Sequence, residues 1–158
     1  MKITRVLDDE AATLALGAAL AQLVQAGLII YLRGDLGAGK TTLVRGMLRG
    51  LGHVGKVKSP TYTLVEHYVF SRLSFYHFDF YRFEHSEEWL EAGFREHFNS
   101  HTVCVVEWPE KAGASLPVAD IRVDFSMSGS GRSLQIAAET EAGKQCLQRL
   151  ESTFRALS

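Results

Sequence analysis

A glycine-rich run with one lysine and two threonines is the part of this chain best equipped for chemistry. The run Gly34-Asp35-Leu36-Gly37-Ala38-Gly39-Lys40-Thr41-Thr42 fits the pattern G-x-x-x-x-G-K-[ST], which is typical of phosphate-binding loops. Its glycines let the backbone wrap around an anion in conformations that a side chain resists. Lys40 would reach the β- and γ-phosphates of a nucleotide, and the Thr41 hydroxyl would bind Mg²⁺.

The segments on either side of this run favour a phosphate site over a chance match to the pattern. An apolar stretch over 28–32 indicates a buried strand, and apolar residues at helical spacing over 43–49 indicate a helix that ends near Gly50. The order of strand, loop and helix presents backbone N–H groups and the positive end of the helix dipole to a phosphate. The sequence therefore predicts a nucleotide site.

Two carboxylates stand at the ends of predicted strands and could complete a magnesium site. Asp79 closes an aromatic strand, and Glu107 closes the more hydrophobic strand over 102–106. In open α/β sheets ligands gather at the carboxyl ends of strands, and Mg²⁺ prefers hard oxygen ligands. For either residue the alternative is a solvated carboxylate or a partner for Arg82. Spacing leaves open which of the two binds the metal and which orients water.

Three further positions could take part in the site. The segment Ser59-Pro60-Thr61 lies where many such folds place a loop that senses the γ-phosphate, although an ordinary proline turn fits equally well. Trp108 could shield the site or face a partner, whereas a lone tryptophan is more often part of a core. His77 should lie on the same strand face as Asp79. The six histidines show no paired metal spacing, so packing or surface positions are expected for each.

The motifs that this chain lacks help to identify its nucleotide and its reaction. The segment Asp79-Phe80-Tyr81-Arg82 lacks the glycine of the D-x-x-G motif of GTPases, and the chain contains no N-K-x-D guanine-reading motif. Adenine is therefore favoured over guanine. A small-molecule kinase usually carries an arginine-bearing lid, and no clear lid insertion is visible.

Length and composition are ordinary for one globular domain spanning residues 1–158. The hydrophobic fraction is 46%, the charged fraction is 22% and the net charge is −1. This balance gives no electrostatic case for a DNA-coating or membrane-surface protein. No apolar run is long enough to span a membrane. Cys104 and Cys146 are isolated and are expected to be small core residues, so a reducing cytoplasm is predicted.

The rest of the chain predicts an α/β domain with a mixed sheet. Strands are expected over 2–7 and 102–106, an antiparallel pair over 62–70 and 73–80, and a hairpin over 120–127 and 132–138. A helix is expected from Asp8 or Asp9 to about Gln25, another from about Thr140, and a third capped by Ser86. Leu90, Phe94 and Phe98 would mark the buried side of that third helix.

Four motifs together strongly resemble those of the bacterial TsaE (YjeE) family, over nearly the whole chain. They are the glycine-rich run, Val57-Lys58-Ser59-Pro60-Thr61-Tyr62-Thr63-Leu64-Val65-Glu66, Tyr76-His77-Phe78-Asp79-Phe80-Tyr81-Arg82 and Val106-Glu107-Trp108-Pro109-Glu110. The resemblance implies a three-layer P-loop NTPase-like fold with a mixed central sheet. It also implies a small cytoplasmic Mg²⁺-dependent ATPase, which binds ATP and ADP and is needed to make threonylcarbamoyladenosine next to the anticodon of tRNA.

The resemblance also implies partners. TsaE proteins do not carry out the transfer themselves but bind the TsaB–TsaD pair, and ATP hydrolysis supports repeated turnover of that complex. Contact with tRNA would be indirect, through the complex. We expect slow hydrolysis by the isolated chain. The alternatives are a nucleotide-gated binding module without essential hydrolysis and a small-molecule kinase.

Site roles carry over from the family by position. Lys40 and its loop would hold the phosphates, and Thr41 would bind Mg²⁺. Glu107 resembles the family's second magnesium-side carboxylate, and Asp79 resembles its Walker-B-type residue, tied to water or catalysis. Further cofactor contacts are implied for Ser59 and Thr61 in the switch-like loop, Trp108 beside the site, and Glu10, Thr13 and Arg132 on the adenine side, with Arg122 as the alternative arginine.

Overall fold

Seven strands form one mixed sheet in the computed structural model, which describes residues 1–157. The strands are β1 (Lys2–Leu7), β2 (Ile29–Arg33), β3 (Val65–Val69), β4 (Ser74–Asp79), β5 (Thr102–Glu107), β6 (Ile121–Ser128) and β7 (Gly131–Ala138). The helices are α1 (Glu10–Ala21), α2 (Lys40–Gly50), α3 (Glu88–Glu91) and α4 (Glu141–Leu157), with 3₁₀ segments at Phe94–His97 and Pro109–Ser115.

The sheet is parallel at its centre and antiparallel at both sides. Its order is β1-β7-β6-β2-β5-β4-β3. Strand β2 pairs in parallel with β5 and β6, and β5 pairs in parallel with β4. The two predicted hairpins form the antiparallel pairs β3–β4 and β6–β7. Because β2, β4 and β5 run in the same direction, their carboxyl ends meet at one edge of the sheet.

Separate cores cover the two faces of this sheet, and together they give the expected three layers. Along β5, Val103 and Val105 pack into the core that contains α1, α2 and α4, whereas Cys104 and Val106 pack into an aromatic core with α3 and the 3₁₀ segments. Every residue of β5 is buried, as its continuous apolar run predicts. The prediction of an α/β fold with a mixed central sheet is confirmed.

Close packing of α1 against α2 fixes the helix that follows the glycine-rich loop. A Cβ at Gly46 would collide with the Leu14 carbonyl oxygen and lie 3.0 Å from the Leu14 Cα. A Cβ at Gly17 would lie 2.9 Å from the Met47 amide nitrogen. The two helices therefore approach at backbone distance, which sets the position of the α2 N-terminus relative to the sheet.

The prediction of a helix over 86–98 is wrong. The segment contains only α3 and a separate 3₁₀ turn, because Gly93 adopts a left-handed conformation with φ of 78° between them. Ser86 does not cap α3, whose N-cap is Glu87. Phe94 is buried and Phe98 packs against the same core, as predicted, whereas Leu90 is exposed. Trp89 is also buried and donates its Nε1–H to Ser115 Oγ at 2.8 Å.

Some helices and strands begin or end a few residues away from the predicted positions. Helix α1 ends at Ala21 rather than near Gln25, and α2 includes Gly50, which packs against Ala18 of α1. Residues 61–64 form a turn before β3 rather than part of the strand. Within residues 1–157, no helix combines the length and the apolar character needed to cross a bilayer.

Candidate functional site

A cavity of about 430 Å³ opens at the edge of the sheet where β2, β4 and β5 end. It is large enough for a nucleotide-sized ligand. Most of the predicted site residues line it: Glu10, Thr13, residues 36–42, Thr61, Asp79, Glu107, Trp108 and Arg132. The structure therefore brings together residues from both ends of the chain around the glycine-rich loop.

Three predicted binding residues do not line the cavity. Gly34 lies beneath it, where its carbonyl oxygen accepts a hydrogen bond from Lys40 Nζ. Asp35 has an exposed side chain, and its carbonyl accepts the Ala38 N–H at 3.1 Å. The Ser59 hydroxyl lies 2.7 Å from the Thr61 hydroxyl, so that it contacts a lining residue. These three residues shape the site through the backbone or through a neighbour.

The glycine-rich loop leads directly into helix α2, whose uncapped N-terminus lies at the cavity. Gly39 has a left-handed φ of 102° and offers no side-chain cap, and α2 begins at the next residue. The first turn of a helix has N–H groups without intrahelical partners, together with a partial positive charge. The start of α2 is therefore suited to bind an anion in the cavity.

Lys40 is a buried cation at the centre of the site. Its Nζ donates to the Gly34 carbonyl and lies 3.8 Å from the centre of the Trp108 ring. Burial lowers the pKa of Lys40, whereas the carboxylates of Glu107, Glu110 and Asp79 act in the opposite direction. The ammonium group is thus held between an aromatic face and the loop, close to where a phosphate would bind.

Glu107, rather than Asp79, contacts the threonine of the loop. The Thr41 hydroxyl donates to Glu107, with Oγ1 3.0 Å from Oε2 and 3.4 Å from Oε1. His77 Nε2 lies 2.6 Å from the same Oε2. Glu107 is 3% exposed and ends β5, the direct neighbour of β2, which explains why it reaches the loop.

Asp79 ends β4, one strand further from the loop, and lies opposite Glu107 in the register of β4 and β5. Its Oδ1 accepts the Tyr81 N–H at 2.9 Å. Burial raises the pKa of Asp79, the Tyr81 hydrogen bond lowers it, and the nearby Glu107 carboxylate raises it further. Two carboxylates therefore face the cavity from adjacent strands.

Backbone strain is concentrated beside these carboxylates. Among residues 1–157, Leu64 and Trp108 are the two non-glycine residues with positive φ, at 70° and 59°. The Leu64 N–H bonds to the Pro60 carbonyl at 2.7 Å, and its carbonyl accepts the Asp79 N–H at 3.0 Å. Such conformations cost about 1–3 kcal/mol each and cluster at functional sites. They hold the turn that carries Thr61 and the ring of Trp108 at the cavity.

Arg132, from the start of β7, lines the cavity and bonds to the glycine-rich loop. Its Nε donates to the Ala38 carbonyl and its Nη2 to the Gly37 carbonyl, both at 2.9 Å. Arg122 instead pairs with Asp124 and with Glu139. Of the two arginines considered from the sequence, Arg132 is the one at the site.

The oxygen donors around the cavity fit Mg²⁺. A hydroxyl and two carboxylates, from Thr41, Glu107 and Asp79, are the hard ligands that this ion prefers. In the described part of the chain there is no group of three His, Cys, Asp or Glu side chains that could hold a metal by itself. Mg²⁺ is usually held by one or two protein ligands together with substrate phosphates and water.

The structure adds His77 and several cavity-lining residues to those predicted for the site. His77 is fully buried, in agreement with the expected packing position, and its ring also contacts Glu107, which the sequence did not predict. Its position two residues before Asp79 was the available signal. Asp9 was expected as a helix cap, and it does accept the Ala12 N–H at 2.8 Å while also lining the cavity. Leu7, Ser130 and Gly131 gave no local signal at all.

This fold and site define an α/β protein in which a glycine-rich loop joins a central strand to an uncapped helix. Two carboxylates, at the ends of two neighbouring strands, line the same cavity as the loop. The model of the family described as "Threonylcarbamoyl adenosine biosynthesis protein TsaE" matches residues 7–135 of this chain. The chain therefore belongs to the TsaE family, as its motifs predict.

Similar proteins match this chain over most of its length. It is 43% identical over 150 residues to the tRNA threonylcarbamoyladenosine biosynthesis protein TsaE of Haemophilus influenzae, covering 92% of this chain and 95% of that protein. It is 37% identical over 117 residues to the protein of the same name from Bacillus subtilis, covering 74% and 73%. The crystal structure of Bacillus subtilis YdiB superposes with a TM-score of 0.83 at 26% identity, covering 97% of this chain and 96% of that one. The family role in threonylcarbamoyladenosine biosynthesis is thus supported.

Proposed function

We propose that this protein is a Mg²⁺-dependent ATPase that assists a TsaB–TsaD complex in the threonylcarbamoyladenosine modification of tRNA. The observation that carries the proposal is the 3.0 Å contact between Thr41 Oγ1 and Glu107 Oε2, directly beside Lys40 and the start of α2. It combines an anion cradle with a hydroxyl and a carboxylate suited to a magnesium ion. The pathway is supported by the relatives, which are tRNA threonylcarbamoyladenosine biosynthesis proteins.

Each part of the site has a defined task in this proposal. The loop amides and the Lys40 ammonium bind the phosphates and stabilise the charge that develops on them during transfer. Thr41 and Glu107 would hold Mg²⁺, which would supply neutralisation of the phosphate charge. Asp79 accepts a hydrogen bond from the attacking water and orients it. Arg132 holds the Gly37 and Ala38 carbonyls and so fixes the conformation of the loop.

Hydrolysis by the isolated protein should be slow. Arg132 is the one arginine among the described residues that line the cavity, and its guanidinium is bonded to loop carbonyls. Arg82 stacks over the Tyr62 ring at 4.2 Å instead. An arginine aimed at the transferring phosphate can accelerate phosphoryl transfer about 10³–10⁵-fold. We therefore expect the isolated protein to turn over well below the ~10 s⁻¹ enzyme median. The partner complex should complete the site or speed turnover.

The same arginine geometry supports the second candidate, a nucleotide-gated binding module in which hydrolysis is incidental. Variants at Lys40 and Glu107 distinguish the two functions. Lys40→Ala should abolish Mg-ADP and Mg-ATP binding in calorimetry, while Lys111→Ala, at an exposed lysine outside the cavity lining, should not.

The decisive variant is Glu107→Ala, tested with purified TsaB, TsaD and tRNA. If it keeps ATP and partner binding but loses both hydrolysis and tRNA modification, the ATPase function holds. If modification continues without hydrolysis, the binding-module function replaces it. ATP consumption that depends on an added small acceptor would indicate a kinase. Absence of any nucleotide binding by the wild-type protein would reject all three.

A further inference from the structure

His77 is a fully buried histidine whose ring contacts the carboxylate at the end of the neighbouring strand. It pairs with Val105 in the register of β4 and β5, so Glu107 lies two residues further along on the same face. The side chains of His77 and Glu107 are 0% and 4% exposed, and the distance from Nε2 to Oε2 is 2.6 Å. This is a short, desolvated hydrogen bond to a carboxylate that the proposed function uses.

The carboxylate fixes the direction of this hydrogen bond. A carboxylate oxygen has no proton to donate and can only accept. His77 Nε2 therefore carries the proton and donates to Glu107 Oε2 at 2.6 Å. The other ring nitrogen, Nδ1, is buried without a hydrogen-bond partner among the described residues.

The two carboxylate oxygens of Glu107 therefore differ in their hydrogen-bond contacts. Oε2 accepts from His77 at 2.6 Å and from Thr41 at 3.0 Å. Among the described residues, the one hydrogen-bond contact of Oε1 is the longer one, at 3.4 Å from the Thr41 hydroxyl. Two donors on one oxygen fix the plane and orientation of the carboxylate, so the remaining oxygen keeps its lone pairs for another ligand.

We propose that His77 is a positioning residue that orients Glu107 so that Oε1 serves a magnesium ion or its bound water. The inference rests on the proposed function, because it assigns Glu107 to the magnesium side of the site. Hydrogen-bond partners of metal-side groups orient them, and their loss typically lowers metal affinity or activity about 10–100-fold. The competing explanation is that His77 only fills the core and that Glu107 satisfies its polar atom.

The test compares His77→Gln with His77→Leu. The Gln side-chain amide can reach the position of His Nε2 and donate to Glu107, whereas Leu cannot donate. His77→Asn, whose amide is too short to reach Glu107, is a second variant without the donor. Thr102→Val is the control for loss of a buried polar group, since Thr102 is 5% exposed and lies at the opposite end of β5.

The readout is ADP affinity measured by calorimetry with Mg²⁺ and with EDTA, alongside thermal melting and Mg²⁺ titration of ATP hydrolysis. We expect His77→Leu and His77→Asn to lose about tenfold in the Mg²⁺-dependent gain in ADP affinity. Their affinity in EDTA should match wild type. His77→Gln should recover the gain, and Thr102→Val should retain it even if its Tm falls.

Two outcomes overturn the role of His77: folded Leu and Asn variants with the wild-type Mg²⁺ dependence, or a folded Gln variant as impaired as Leu. If the Leu variant does not fold, the comparison of Asn with Gln decides between the same outcomes. Wild-type protein that binds no ADP in either condition, or gains nothing from Mg²⁺, instead rejects the proposed function. The two failures are therefore distinguishable.

Discussion

Arg132 Nε lies 2.9 Å from the carbonyl oxygen of Ala38, which bonds the β6–β7 hairpin directly to the glycine-rich loop. The two residues are far apart in sequence, and the guanidinium also reaches the neighbouring Gly37 carbonyl at 2.9 Å. A forked donor of this kind can fix two successive carbonyls at once. Fixing these two carbonyls restricts the conformation of the loop before a ligand binds.

Replacing Arg132 should therefore weaken nucleotide binding without unfolding the protein. We expect Arg132→Ala to raise the Kd for Mg-ADP about tenfold, because hydrogen bonds from charged groups contribute about 1.5–3 kcal/mol and tenfold corresponds to about 1.4 kcal/mol. Arg132→Lys should recover little, since an ammonium cannot bridge both carbonyls. Calorimetry provides the measurement.

Arg122→Ala is the matched control for this arginine. It lies on the adjacent strand and pairs with Asp124 and Glu139 rather than with the loop. Its Kd for Mg-ADP should stay within about twofold of wild type, since exposed ion pairs contribute little. Equal losses in both variants would mean that overall positive charge, not the contact with the loop, supports binding.

The approach of α1 to α2 gives a stability prediction. Gly46→Ala should lower the free energy of unfolding by about 1–3 kcal/mol, as expected for overpacking, because its Cβ would meet the backbone of Leu14. For a chain of this size that corresponds to a fall in Tm of about 2–4 °C per kcal/mol. Arg49→Ala, at an exposed position on the same helix, should leave the Tm nearly unchanged. A Tm for Gly46→Ala equal to that of Arg49→Ala would show that the helices separate at little cost.

Local sequence patterns predicted those parts of the fold that depend on short-range physics. The apolar run over 102–106 became the fully buried strand β5, and the loop and helix at 34–50 formed as expected. The segment 86–98 was misread because its apolar residues fit a helical period, whereas Gly93 breaks the helix and the indole of Trp89 finds its partner in Ser115. Sheet order could not be derived, because pairing depends on contacts between distant segments.

The same limit applies to the site. Asp79 and Glu107 were identified because both follow strands, yet their separate positions depend on sheet order, which puts β5 next to β2 and β4 beyond it. Only that order explains why Glu107 contacts Thr41. The contact between His77 and Glu107 joins residues 30 positions apart, so the spacing that placed His77 on the same strand face as Asp79 gave no sign of Glu107 as its partner.

The buried carboxylate of Asp79 should reduce stability at neutral pH. Its folded-state pKa is raised, first by burial, so the ionised form is disfavoured relative to the unfolded chain. In EDTA at pH 7.5 we expect Asp79→Asn to melt a few degrees above wild type, because the amide oxygen can still accept the Tyr81 N–H. Hydrolysis should be lost in the same variant.

The destabilisation by the buried Asp79 carboxylate depends on pH. The destabilisation exists at pH values above the raised folded-state pKa and disappears as the pH falls through it toward the unfolded value near 3.8. The difference in Tm between Asp79→Asn and wild type should therefore be largest at neutral pH and shrink on acidification. A variant that melts below wild type at pH 7.5 would contradict this account.

Trp108 should report on nucleotide binding through its fluorescence. The chain has two tryptophans, and the Lys40 ammonium lies 3.8 Å from the centre of the Trp108 ring. Phosphates bound at the loop would draw Lys40 toward them and change the environment of that ring, whereas Trp89 is fully buried in the aromatic core. Adding Mg-ADP to Trp89→Phe should thus change the emission about as much as in wild type. Trp108→Phe should show little change while still binding ADP in calorimetry, and an undiminished signal in that variant would mean that Trp89 senses the ligand from the other face of the sheet.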